Sequence, residues 1–133
     1  MTEHTLQQKL IAEFIGTFFL TLTICLTAVF GSSSPTHPAF PIAATLMVMI
    51  YGLGHVSGAH FNPAVTMGVW IRGACDKSDV PPYIVTQVIA GITGALVSIQ
   101  IYTEEYQIPL EAVSLLTSHD YSSVILAELL FTF

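Results

Sequence analysis

Long apolar runs alternate with short polar breaks along this chain. The first run, 10–30, holds 21 residues and a single charge, Glu13. About 20 apolar residues in helical form match the hydrocarbon thickness of a bilayer, so this run predicts a first membrane-spanning helix. A Ser/Pro/Gly-rich turn over 31–38 follows, then a second, uncharged span over 39–56. A third span is expected over 82–102, after a polar loop at 73–82. Residues 103–123 read as a mixed loop, and 124–133 open a fourth apolar run. That last run has ten residues, about half of what crossing requires.

The segment Ser57-Gly-Ala-His-Phe-Asn62-Pro63-Ala64-Val65 interrupts this pattern. Asn is a favoured helix N-cap, and Pro fits the first helical position, where its missing N–H costs nothing. The spacing therefore predicts extended backbone over 57–61 and a half-length helix from Asn62 to about Arg72. A helix that begins inside the bilayer must have its backbone groups shielded by protein or water. A channel or transporter fits that arrangement, and a passive anchor does not.

Composition agrees with a membrane protein. Of 133 residues, 53% are hydrophobic and 9% charged, with a mean hydropathy of +0.70; a soluble domain carries about 25% charged residues. Lys9, Arg72 and Lys77 are the only basic residues in a chain of net charge −6, which argues against a nucleic-acid partner. All three fall on one side if the first three spans alternate, and the positive-inside rule makes that side, with the N-terminus, cytoplasmic. The first run is long and lightly flanked by basic residues, so it reads as a retained span and not a cleaved signal. Cys25 and Cys75 have no metal-ligand spacing, and a disulfide between them is not expected. The pairs Ala12/Gly16, Gly54/Gly58, Ala90/Gly94 and Gly91/Ala95 allow close helix approach, as in many polytopic bundles.

The stretch Ala12-Glu-Phe-Ile-Gly-Thr-Phe18 recurs as Ala127-Glu-Leu-Leu-Phe-Thr-Phe133, identical at four of seven positions and offset by 115 residues. Each copy opens an apolar run. Three spans separate them, so the second starts on the opposite side of the membrane, the pattern of an inverted repeat. Residues 1–123 then form a first repeat and 124–133 the beginning of a second, which makes the chain read as truncated.

Glu13 and Glu128 are carboxylates within apolar runs. Such groups usually face the bundle interior. Each is expected to support the irregular backbone by accepting N–H groups, with closeness to the water interface as the alternative. His55, His60 and Asn62 cluster near the break, but a metal site needs more convergent ligands. No nucleophile–base arrangement is legible, so no catalytic residue, metal or cofactor is expected.

The motif Ser57-Gly-Ala-His-Phe-Asn-Pro-Ala-Val-Thr66-Met-Gly68, with Ala12–Phe18, Gly54-His55-Val56 and Gln87, resembles the major intrinsic protein family of aquaporins and glycerol facilitators, nearest its bacterial water-channel branch. The resemblance implies an all-α, right-handed bundle: three transmembrane helices plus a re-entrant half-helix as first inverted repeat, and the start of a fourth helix. It implies that the carbonyls of Gly58, Ala59, His60 and Phe61 line a single-file pore, that Asn62 donates its side-chain amide, and that Pro63 and Ala64 form the mid-membrane junction. Counting back from Asn62 puts the second span's filter position on Ile42, with Phe40 two residues away. The family's second Asn-Pro-Ala motif and filter arginine are absent from the 133 residues. The permeant is then water or a small neutral solute such as glycerol, the setting a plasma-membrane bilayer, and the full-length assembly a homotetramer. The alternatives are a half-channel subunit that needs a partner half, and a small transporter or assembly subunit.

Overall fold

The computed structural model describes residues 4–29 and 37–107. Four α-helices run in order among them: α1 (Leu6–Ile24), α2 (Ala39–Ser57), α3 (Pro63–Ile71) and α4 (Val80–Tyr106). A π-helical turn, Cys25–Val29, closes α1. Among the described residues, three stretches are long and apolar enough to cross a membrane: Leu6–Ala28, Ala39–Ser57 and Val80–Glu105. The expected fourth span at 124–133, with Glu128, lies outside the described residues, as does most of the turn at 31–38.

Helix boundaries differ from the hydropathy reading for identifiable reasons. α1 begins at Leu6, four residues before the expected 10, because Thr5 and Gln8 form a capping box: the Thr5 hydroxyl accepts from the Gln8 N–H, and the Gln8 side chain accepts from the Thr5 N–H. α4 runs from Val80 to Tyr106, beyond the expected 82–102 at both ends. Proline is tolerated in a first helical turn, and Thr103, Glu104 and Glu105 extend the rod past its apolar part. The segment after α2 is not extended. Gly58, Ala59 and Phe61 all have positive φ, at 88°, 54° and 50°. Sequence pattern alone assigned extended backbone there, but the chain must reverse tightly between two helices and turn consecutive N–H groups to one side.

α1 and α4 lie side by side in parallel. Lys9 pairs with Asp79 at one end, Glu13 meets Gln87 further in, and the Phe18 carbonyl passes Gly94 beyond that. A Cβ at Gly94 would sit 2.8 Å from the Phe18 carbonyl oxygen, so glycine permits this crossing. α2 runs antiparallel to α1, with Thr23 bonded to Thr45 at one end and Ser57 to Glu13 at the other. α3 packs on α4. With nine residues it is about 13 Å long, less than half of a ~30 Å hydrocarbon core.

Candidate functional site

Glu13 lies seven residues into α1, about 10 Å from that helix's start. It is completely buried, and four donors converge on its carboxylate. Oε1 accepts from the Ser57 hydroxyl at 2.7 Å and the His60 N–H at 2.9 Å. Oε2 accepts from the Phe61 N–H at 2.6 Å and the Gln87 amide at 2.8 Å. The Ala59 N–H is held nearby by the Ser57 hydroxyl. Three successive N–H groups of the break therefore turn toward α1.

The carbonyls follow from that arrangement. All peptides here are trans, so each carbonyl points opposite to the next residue's N–H. The carbonyls of Gly58, Ala59 and His60 are thus directed away from Glu13. None of them, nor that of Phe61, accepts a hydrogen bond from the described residues. A row of free acceptors lies on one side of the loop and a row of satisfied donors on the other.

Asn62 caps α3. Its φ/ψ is extended (−156°, 134°), and its side-chain oxygen accepts from the Ala64 N–H at 2.7 Å. That fixes the side-chain N–H₂ on the far side of the amide. Pro63 occupies the first position of α3, with Ala64 next. The helix N-terminus concentrates partial positive charge at this point.

Further contacts brace the loop. The Phe61 ring packs on Gly16, where any side chain would overlap it. Tyr83 donates its hydroxyl to the Ser57 carbonyl at 2.8 Å. The Thr66 hydroxyl lies 3.2 Å from His60 Nδ1 and accepts from the Gln87 amide at 2.9 Å. Sequence reasoning singled out Glu13 and Gln87 but missed Tyr83, and it gave the Ser57 hydroxyl no role. The signal was a stripe down α4: Tyr83, Gln87, Ala90, Gly94 and Ser98, all buried, at spacings of three or four. Polar side chains on one stripe of an apolar helix mark what it holds.

The site residues expected from sequence are not all in one place. Gly58 through Ala64 gather with Glu13. Ile42 stands in the first turn of α2, about 22 Å along that helix from Ser57 and at its opposite end. Ile42 is half-buried, whereas Phe40 is 73% exposed. Glu128 is outside the described residues. Cys25 and Cys75 are both free thiols.

Comparison with known proteins agrees with the motifs. The family model of the Major intrinsic protein matches residues 1–133. Aquaporin Z of Photorhabdus laumondii subsp. laumondii is 43% identical over 96 residues, covering 68% of this chain and 42% of that protein. Aquaporin NIP1-1 of Arabidopsis thaliana is 44% identical over 93 residues, covering 66% of this chain and 31% of that protein. The chain thus spans less than half the length of these curated relatives. With the whole of its sequence matched, three candidate spans and a broken helix between two of them, this multi-pass membrane protein belongs to the major intrinsic protein family, a family of channels and not of enzymes.

Proposed function

We propose that this chain supplies the first half of a passive channel for water or a small neutral solute such as glycerol, with residues 1–123 as the first repeat of a right-handed aquaporin bundle and 124–133 as the start of the second. The observation that carries the reading is the two-sided loop at 58–61. The His60 and Phe61 N–H groups are gathered on Glu13 and that of Ala59 on the Ser57 hydroxyl beside it, and the free carbonyls face the other way. A permeant that donates hydrogen bonds replaces its lost hydration stepwise along Gly58, Ala59, His60 and Phe61. The Asn62 amide then supplies a donor beside the positive end of α3, which opposes cations. Pro63 and Ala64 are the junction with an equivalent half-helix, Glu128 the equivalent of Glu13, and Ile42 the first half's contribution to the filter. An isoleucine there leaves a filter wide and apolar enough for glycerol.

The N-terminus and the 72–79 loop face the cytoplasm in this reading. The Lys9–Asp79 pair supports it by tying those segments together at one end. The setting is the plasma membrane, and a complete channel of this kind assembles as a homotetramer. Only one Asn-Pro-Ala motif is present, so the chain alone should swell proteoliposomes at the rate of bare lipid. Co-reconstitution with the complementary half of the Photorhabdus Aquaporin Z should raise permeability, and Asn62→Asp should abolish the gain. Correctly inserted halves that form a complex yet add no permeability would refute the channel reading. Solute uptake that requires an ion gradient would replace it with a transporter.

A further inference from the structure

A polar cavity of about 320 Å³ opens beneath the loop joining α3 to α4. Gly58, His60 and Tyr83 line it with Lys9, Asp76 and Asp79. His60 is 92% buried by its 8% exposure, yet its Nε2 takes no hydrogen bond from the described residues. Nε2 lies against Gly58, 3.3 Å from where a Cβ would stand, so the glycine keeps that nitrogen uncovered.

The other ring nitrogen, Nδ1, is 3.2 Å from the fully buried Thr66 hydroxyl. That hydroxyl has one hydrogen and two lone pairs. One lone pair is taken by the Gln87 amide, whose second hydrogen goes to Glu13. The carboxylate can only accept, so it fixes which end of Gln87 faces Glu13 and leaves the Gln87 oxygen also beside Thr66, at 3.3 Å. The Thr66 hydrogen has acceptors in the Asn62 carbonyl at 3.1 Å and the Gln87 amide oxygen at 3.3 Å. One lone pair remains, and it faces His60. Every site on Thr66 is used if Nδ1 carries the imidazole hydrogen. The other tautomer would draw the Thr66 hydrogen to Nδ1 and leave a buried lone pair idle.

We infer that the buried relay Glu13–Gln87–Thr66 holds His60 as its Nδ1–H tautomer, so that Nε2 offers a hydrogen-bond acceptor to the molecule entering the carbonyl row from this cavity. His60 then extends the row of acceptors by one side-chain atom and adds no competing donor at its mouth. The solute's identity rests on the channel reading; the tautomer does not.

The test is ¹⁵N NMR of the full chain labelled at histidine, in bilayers at pH 8, with the His60 signals assigned by their loss in His60→Gln. The expected native spectrum has a protonated Nδ1 and a bare Nε2. Thr66→Ser should keep that pattern, and Thr66→Val should move His60 toward the Nε2–H form. A native spectrum with Nε2 protonated overturns the inference, and this result needs no variant to fold. So does a folded Thr66→Val protein whose tautomer is unchanged. Water permeability of the co-reconstituted halves is a separate measurement: its failure with the expected spectrum removes the channel reading and leaves the tautomer standing.

Discussion

Glu13→Gln is the sharpest perturbation of this molecule, because it keeps shape and removes one acceptor. The carboxylate takes four donors, two on each oxygen. A glutamine offers one oxygen and one N–H₂, so two of the four donors face another donor. On the Oε2 side these would be the Phe61 N–H, which cannot reverse, and the Gln87 amide, which could flip only by giving up its donor bond to Thr66. On the Oε1 side the Ser57 hydroxyl can rotate to accept, and the His60 N–H alone is orphaned. The less costly placement therefore turns the new N–H₂ toward Ser57 and His60. Its cost is one buried unsatisfied N–H, about 1–3 kcal/mol, plus the weakening of charge-assisted bonds to neutral ones at Phe61 and Gln87. A total of about 3 kcal/mol corresponds to roughly a hundredfold greater population of an opened loop. Hydrogen exchange of the His60 and Phe61 amides should accelerate by about that factor, while amides in the middle of α2 stay within threefold of native. Unchanged exchange at both loop amides in a folded variant would refute the assignment of Glu13 as the acceptor that holds the break.

Three further outcomes follow from the same contacts. Gly16→Val should displace the Phe61 ring, which is 2% exposed, at a cost of about 2–3 kcal/mol seen as a lower thermal midpoint, whereas Gly52→Ala, within α2 and with nothing within 4 Å, should not lower the midpoint. Lys9→Met should cost no more than about 1 kcal/mol, because the Lys9–Asp79 pair keeps side-chain exposures of 31% and 16%; a loss above about 2 kcal/mol would show that the pair does more than join two helix ends. Burial, and then the charges of Asp79 and Asp76, push the Cys75 thiol above its ordinary range. Less thiolate is present at any given pH, so maleimide should label Cys75 more slowly than a free cysteine at pH 8 and gain on it as pH rises; a rate equal to free cysteine at pH 8 would contradict that.

The three spans were legible because hydropathy reports directly on what faces lipid. Their ends were not, since α1 starts on a polar capping box and α4 runs on past two glutamates to Tyr106, both invisible to a search for apolar runs. Asn62 and Pro63 announced the start of α3 through local chemistry alone. The conformation of 58–61 was misjudged for a different reason: Ala59 and Phe61 are residues that ordinarily avoid positive φ, and nothing in their identities shows that long-range bonds to Glu13 outweigh the local preference. Tyr83 escaped because its partner is a backbone carbonyl 26 residues away that no side chain announces; only its place on the α4 stripe with Gln87 and Ser98 marked it.

That strain also explains why an acid belongs in the first span at all. Left-handed φ at Ala59 and Phe61 costs of order 1–3 kcal/mol each, and a buried carboxylate is costly in its own right. Neither is tolerable alone. Together they cancel much of each other's cost: the unpaired N–H groups of a broken helix are the donors a buried carboxylate requires, and the carboxylate is the acceptor that a break inside lipid lacks. Because trans peptides set each carbonyl against the following N–H, drawing the donors onto Glu13 necessarily turns the acceptors outward on the opposite side. An apolar residue at position 13 could fill the same volume, but it would remove the acceptor whose bonds to His60 and Phe61 turn the carbonyls of Ala59 and His60 outward.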